Sequence, residues 1–176
     1  MKLILIGNIG AGKTTLANLI LEKYKDAEFV SIDGIRKKHG DGTKEKEIFC
    51  KAKFIQAIKI NIHFQIIELT GVGELSKELF TILAKYKQPI LVFHLIASES
   101  ELLSRTKKKK WDTPFPLGKD NIPVAIKYTQ EKFKEGLVEN LRAKCEHAIF
   151  VSLTNNNIQM MKQNLKIIFN KIENNL

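Results

Sequence analysis

A glycine-rich turn set between an apolar hexapeptide and an amphipathic stretch constrains this chain more than any other feature. Gly7–Asn8–Ile9–Gly10–Ala11–Gly12–Lys13–Thr14 fits the pattern G-x-x-x-x-G-K-[ST]. Before it, Met1 to Ile6 reads as a buried strand. After it, a helix is expected from about Lys13 to Tyr24, with Leu16, Leu19 and Ile20 on its inner face. Glycines at these spacings let successive backbone N–H groups turn inward around phosphate oxygens, where side chains would clash. The helix opening at Lys13 adds the positive end of its dipole. Lys13 would bridge the β- and γ-phosphates, and the Thr14 hydroxyl would ligate Mg²⁺. The expected nucleotide-binding residues are therefore Gly7, Asn8, Ile9, Gly10, Ala11, Gly12, Lys13, Thr14 and Thr15.

The rest of the chain alternates strand and helix. Further strands are expected at Glu28–Asp33, His63–Glu68, Pro89–Ile96 and Ala148–Leu153. Helices are expected at about Lys44–Ile60 (inner face Ile48, Ala52, Ile55 and Ile58 or Lys59), Glu74–Tyr86, Ser98–Lys109, Ile122–Lys144 and Ile158–Ile172. Such alternation implies an α/β fold with right-handed crossovers. We expect a doubly wound parallel sheet of five strands, order 2-3-1-4-5, with helices on both faces. One domain over residues 1–176 is expected, with a lid near residues 98–122.

Composition sets limits on function. Cys50 and Cys145 are the only cysteines and lie far apart, which supports neither a disulfide scaffold nor a cysteine zinc site. No apolar run approaches the ~18 residues of a membrane span, and no signal peptide is evident, so a cytoplasmic setting without a membrane partner is expected. The formal net charge is +10, which permits an anionic partner. Of the 29 basic residues only Arg36, Arg105 and Arg142 are arginine, so each arginine position is more informative than any one lysine. The lysine excess reads mainly as a solvated surface.

The glycine-rich turn alone does not separate kinases from GTPases or motor ATPases. Asn170–Lys171–Ile172–Glu173 looks like a guanine-selecting N-K-x-D but lies in the last expected helix, and Glu68–Leu69–Thr70–Gly71 is only distantly like a GTPase D-x-x-G. The chain is also too short for the second lobe of a helicase-type motor.

Three stretches resemble the P-loop kinase group that includes phage-type polynucleotide 5′-kinase and its small bacterial relatives. They are Gly7–Thr15, Val30–Arg36 with its strand and D-x-x-R, and Leu95–Lys110 with its strand, acidic turn and Arg-bearing helix. The resemblance implies an ATP- and Mg²⁺-dependent transfer of the γ-phosphoryl to a hydroxyl. The acceptor would belong to a nucleoside, a nucleotide, another small metabolite or a polynucleotide 5′ end, and no obligate protein partner is implied. It also implies that Asp33 accepts or orients the hydroxyl proton, a role worth ~10²–10⁴-fold. Arg36 would hold an anionic substrate group or the transferred phosphoryl. Arg105, on the lid helix, would neutralise charge in the transition state, with Lys109 on the same face.

Glu68 ends a strand at the sheet edge where ligands sit in doubly wound folds, and it would hold the water shell of Mg²⁺ or a substrate hydroxyl. Other readings stand beside these. Asp33 would serve equally as the cap of a short helix starting at Gly34, Glu68 as a strand-end acid in solvent, and Arg105 as an exposed charge. Trp111 and Phe115 anchor a lid loop or stack a base. His63 and His94 read as packed core groups. Asn155–Asn156–Asn157 is either a loop against adenine or a turn capping the last helix. A nucleotide-gated binding protein, or a slow NTPase without a small-molecule acceptor, is the alternative function.

Overall fold

The computed structural model describes residues 1–114 and 119–176. The apolar hexapeptide forms β1 (Lys2–Gly7), and every residue of it is buried. Alternating strands and helices follow in chain order: α1 (Lys13–Lys23), β2 (Glu28–Ser31), α2 (Ile32–His39), α3 (Lys44–Lys59), β3 (Gln65–Glu68), α4 (Glu74–Leu83) and β4 (Ile90–Ile96). The second half comprises α5 (Glu99–Lys108), a 3-10 turn (Lys119–Asn121), α6 (Ile122–Lys134), α7 (Leu137–Lys144), β5 (Ile149–Thr154) and α8 (Ile158–Glu173). The strands form one sheet in the order β2-β3-β1-β4-β5. All neighbours pair in parallel, with Leu5 opposite Glu68 on one side and Phe93 on the other. The expected topology is the one observed.

The strand period of two divides the core. Leu3 and Leu5 of β1 face a cluster with Leu16 and Ile20 of α1 and Ile168 and Ile172 of α8. Ile4 and Ile6 face the opposite cluster, with Phe54 and Ile58 of α3, Phe80 of α4 and Leu141 of α7. Both faces of the central strand are thus covered by helices, as a parallel sheet requires. No helix among the described residues is long and apolar enough to cross a membrane.

At the edge of the sheet away from the glycine-rich turn, the Lys2 side chain is buried. Its ammonium donates to the Ile58 carbonyl at 2.7 Å and to Gln65 Oε1 at 2.6 Å. His94 on β4 is buried and stacked on Phe133, centroids 4.3 Å apart; burial holds its imidazole down to about 4, so it packs as a neutral ring.

Several boundaries differ from the sequence expectation. β2 ends at Ser31, not Asp33, because Ser31 is the N-cap of α2 and its hydroxyl accepts from the Gly34 N–H at 3.0 Å. The stretch Ile122–Lys144 is two helices, α6 and α7, parted at Gly136, whose φ of 85° ends one helix and starts the next. The inner face of α3 is Cys50, Phe54, Ile55 and Ile58; Ala52 is exposed and Ile48 is 70% exposed. That face runs through Glu47, a carboxylate, instead of the expected Ile48. Leu19 is only partly buried, and Ala17 takes the place expected for it on α1. His63 precedes β3 and is exposed, its carbonyl accepting from the amino terminus.

Candidate active site

The glycine-rich turn lies at the carboxyl edge of the sheet, where β1 leaves the core. Its geometry is fixed by what its carbonyls bond. The Ala11 N–H returns to the Asn8 carbonyl at 3.1 Å, and the Gly12 carbonyl starts α1 by accepting from the Leu16 N–H at 3.0 Å. Gly12 sits at φ 92°, a conformation that side chains rarely adopt, and a Cβ there would come within 2.5 Å of Asn155 Nδ2. The turn therefore needs glycine at this position for conformation and for space.

Lys13 is 7% exposed. Its Nζ donates to the Gly7 and Asn8 carbonyls, both at 2.9 Å, so the ammonium lies across the turn's concave side. Burial draws it below the ordinary lysine range, opposed by the Glu68 and Asp33 carboxylates. The Thr14 hydroxyl hydrogen-bonds both oxygens of Glu68, at 3.0 and 2.9 Å. Burial pushes the Glu68 carboxyl above the usual range, against the pull of Lys13 and the Thr14 hydroxyl.

These groups line one cleft of about 1020 Å³. Of the residues expected to bind nucleotide, Ile9, Gly10, Gly12, Lys13, Thr14 and Thr15 line it. Gly7, Asn8 and Ala11 do not: Ala11 is fully buried, and Asn8 turns its amide away to the Ile126 carbonyl of α6 at 2.8 Å. Asp33, Arg36, Glu68 and Arg105 all line the same cleft, so four residues up to 72 positions apart converge there.

Asp33 lies in the first turn of α2, one helical turn before Arg36, whose Nη1 donates to Asp33 Oδ1 at 3.0 Å. The same guanidinium grips Glu47 of α3 from two sides, Nε to Oε2 at 2.8 Å and Nη2 to Oε1 at 2.5 Å. Sequence reading missed Glu47. The available signal was the scarcity of arginine: a half-buried guanidinium requires a carboxylate, and Glu47 precedes Cys50 by one helical turn on the inner stripe of α3.

Arg105 on α5 donates from Nε to Glu101 at 2.8 Å, from Nη1 to the Gly10 carbonyl at 3.2 Å and from Nη2 to the Asn155 carbonyl at 2.9 Å. It thereby ties α5 to the glycine-rich turn. Lys107 to Lys110 are all exposed, as expected for a solvated run, although Lys109 reaches the cleft and its ammonium lies 4.5 Å from the Trp111 ring centre. Trp111 lines the cleft and donates its indole N–H to the Thr106 carbonyl at 3.2 Å. Phe115 lies outside the described residues, as does part of the expected lid.

The three asparagines after β5 each hold a different element. Asn155 donates to the Ala11 carbonyl at 2.7 Å, Asn156 accepts from the Ser98 N–H at 2.8 Å, and Asn157 caps α8 by accepting from the Met160 N–H at 2.9 Å. Asn155 and Asn157 also line the cleft, together with Ile158 and Met161 of α8. The cap expected for the last helix is therefore present, one residue among three.

A nucleoside triphosphate fits the donors of this site. The turn's curvature, the buried cation across its mouth and the start of α1 match a polyphosphate. No cluster of three or more His, Cys, Asp or Glu among the described residues could hold a metal alone. Thr14 and Glu68 together suit Mg²⁺, which takes few protein oxygens and fills its shell with water and phosphate.

No protein-family model matches the sequence, and no curated protein does. Solved structures do. A shikimate kinase from Acinetobacter baumannii in complex with shikimate superposes with TM-score 0.68 at 20% identity, covering 99% of this chain and 94% of that one. This chain has the P-loop kinase fold. A deoxyadenosine kinase from M. mycoides with bound dATP superposes with TM-score 0.62 at 18% identity, covering 98% of this chain and 100% of that one. A shikimate kinase from Bacteroides thetaiotaomicron gives TM-score 0.60 at 13% identity, covering 98% of each chain. The narrower resemblance to polynucleotide 5′-kinases rests on the three sequence stretches alone.

Proposed function

We propose that this P-loop kinase fold works as an ATP- and Mg²⁺-dependent phosphotransferase acting on an acceptor hydroxyl. One observation carries the reading: the glycine-rich turn with Lys13 and two carboxylates, Asp33 and Glu68, opens into a single cleft that continues past the phosphate end between α2, α3 and the β3–α4 loop. A nucleotide-binding site without an acceptor does not need that extension. The similarity to a shikimate kinase and a deoxyadenosine kinase supports the same class.

Bound Mg²⁺·ATP supplies the activated phosphoryl group and a metal that screens its charge. The chain's own residues do the rest. Backbone N–H groups of the turn would hold the phosphates, and Lys13, whose Nζ now donates to the Gly7 and Asn8 carbonyls, would offer its donors to them. Thr14 and Glu68 would hold the metal. Asp33 accepts the proton of the attacking hydroxyl while Arg36 keeps its carboxylate in place. Arg105 fixes the turn against the lid helix and places positive charge beside the transferred group.

Transfer of label from γ-³²P-ATP to a panel of nucleosides, sugars, ring alcohols and 5′-hydroxyl oligonucleotides tests this. Labelled acceptor in the presence of Mg²⁺, lost with Lys13→Ala and with Asp33→Asn, supports the reading. Release of inorganic phosphate with no labelled acceptor would favour an NTPase instead.

A further inference from the structure

Beyond the phosphate end, the cleft is closed by α2, α3 and the β3–α4 loop, and its cations there are already engaged. Asp33, Glu47 and Glu74 line this part against two cations, Arg36 and Lys51. Arg36 is held by both oxygens of Glu47 and by Asp33. Lys51 Nζ lies 3.8 Å from Glu47 Oε1. The side chains of Arg36 and Glu47 are each 13% exposed, so their pairing is shielded from solvent. Lys109 belongs to the phosphate end, within electrostatic reach of Lys13 and Glu68.

An incoming carboxylate or phosphate would compete with Glu47 and Asp33 for Arg36. It would loosen a shielded pair, leaving Glu47 with Lys51 alone, in a part of the cleft where three carboxylates face two cations. A neutral molecule meets no such obstacle. Its hydroxyls find polar partners in Asp33 and Thr70, and its apolar surface finds Val72, Leu75, Ile122 and the half-exposed Tyr128 ring in the cleft lining.

We propose that the acceptor is an uncharged alcohol carried on a ring, a nucleoside- or sugar-like molecule, and that the Arg36–Glu47 pair selects against acceptors bearing a carboxylate or phosphate. This rests on the phosphotransferase reading above. It goes further by choosing among the acceptors that reading admits.

The test compares matched acceptors with the wild-type protein and Mg²⁺·ATP: adenosine with adenosine 3′-monophosphate, shikimate methyl ester with shikimate, and glucose with glucuronate. The neutral member of at least one pair should show kcat/KM at least tenfold above its anionic counterpart. If, in every pair that shows transfer, the anionic member is phosphorylated within tenfold of its neutral counterpart or better, the inference is overturned while the phosphotransferase reading stays intact. Transfer to none of the six, with ATP binding retained, refutes both, and loss of ATP binding refutes the phosphotransferase reading at its base. Glu47→Gln, which removes one charge from the pair, should narrow the ratio toward anionic acceptors by several-fold. A ratio unchanged in a variant that still binds ATP would overturn the selective role of the pair. If that variant fails to fold, the wild-type comparison decides alone.

Discussion

The amide of Asn155 donates to the carbonyl of Ala11 at 2.7 Å, across 144 positions of sequence. In a trans peptide the C=O and the following N–H point to opposite sides, and no peptide among the described residues is cis. Holding the Ala11 carbonyl toward Asn155 therefore turns the Gly12 N–H the other way, and Gly12 lines the cleft. Asn155→Ala should weaken ATP binding by about tenfold, the ~1–2 kcal/mol expected when a buried acceptor loses its donor. Asn155→Asp should be worse, since it sets a carboxylate against a carbonyl. Calorimetric titration with a non-hydrolysable ATP analogue measures both.

The Arg36–Glu47 pair should reveal itself as coupling. Glu47→Ala leaves a shielded guanidinium with half its partners, and about 3 kcal/mol of stability should go with it. For a chain of this size that is roughly 10 °C in melting temperature. Replacing Arg36 and Glu47 together by Met and Leu should restore much of the loss, because the desolvation of both charges disappears with them. A double-mutant cycle read by thermal melts gives the coupling directly.

Glu68 should set opposite requirements for stability and for function. Its folded-state carboxyl is pushed up by burial, so the ligand-free fold favours the neutral form. The stability this contributes is present at low pH and lost as pH rises through the raised value. Holding Mg²⁺ needs the ionised form, so metal affinity should fall on acidification sooner than an ordinary glutamate would dictate. Glu68→Gln should melt higher than wild type at neutral pH, bind Mg²⁺ at least tenfold more weakly, and lose the acid dependence. Metal titrations at several pH values, paired with melts, separate these effects.

Lys2 gives a second pH signature far from the cleft. Burial draws its ammonium down to about 8, against 10.5 for the ordinary side chain. Below pH 8 both folded and unfolded chains carry the proton and the buried charge is a burden. Between about 8 and 10.5 the unfolded chain binds more protons, so stability contributed at this site rises with pH. Relative to Lys2→Met, the wild-type melting temperature should climb by several degrees from pH 7.5 to 10. A constant difference between the two proteins would contradict the burial described here.

The architecture was legible because β1, the glycine-rich turn and the apolar run Ile90–Leu95 carry strong local signals, and parallel crossovers leave few ways to order five strands. The glycine-rich turn's place at the mouth of the cleft was legible for the same reason: the turn's residue types are dictated by its own geometry. What depends on distant pairing was not. The inward turn of α3 follows from Glu47 meeting Arg36, so hydrophobic spacing misplaced Ile48. The end of β2 follows from Ser31 capping α2, a choice between two adjacent polar residues that local pattern does not make. The split of Ile122–Lys144 was written at Gly136, where a single glycine outweighs the helical periodicity around it. The roles of Asn155 and Asn156 needed the sheet to be folded before their partners were near.

The run Asn155–Asn156–Asn157 joins three segments far apart in the sequence: the glycine-rich turn, the start of α5 and the start of α8. Because each residue serves one segment, the spacing among them is as fixed as their identities. Removing one residue here would pull all three attachments out of step at once, whereas Gly42, with nothing within 4 Å of where a side chain would start, has no comparable neighbours to disturb. Length changes in this fold are therefore admissible at its rim and inadmissible at this hub.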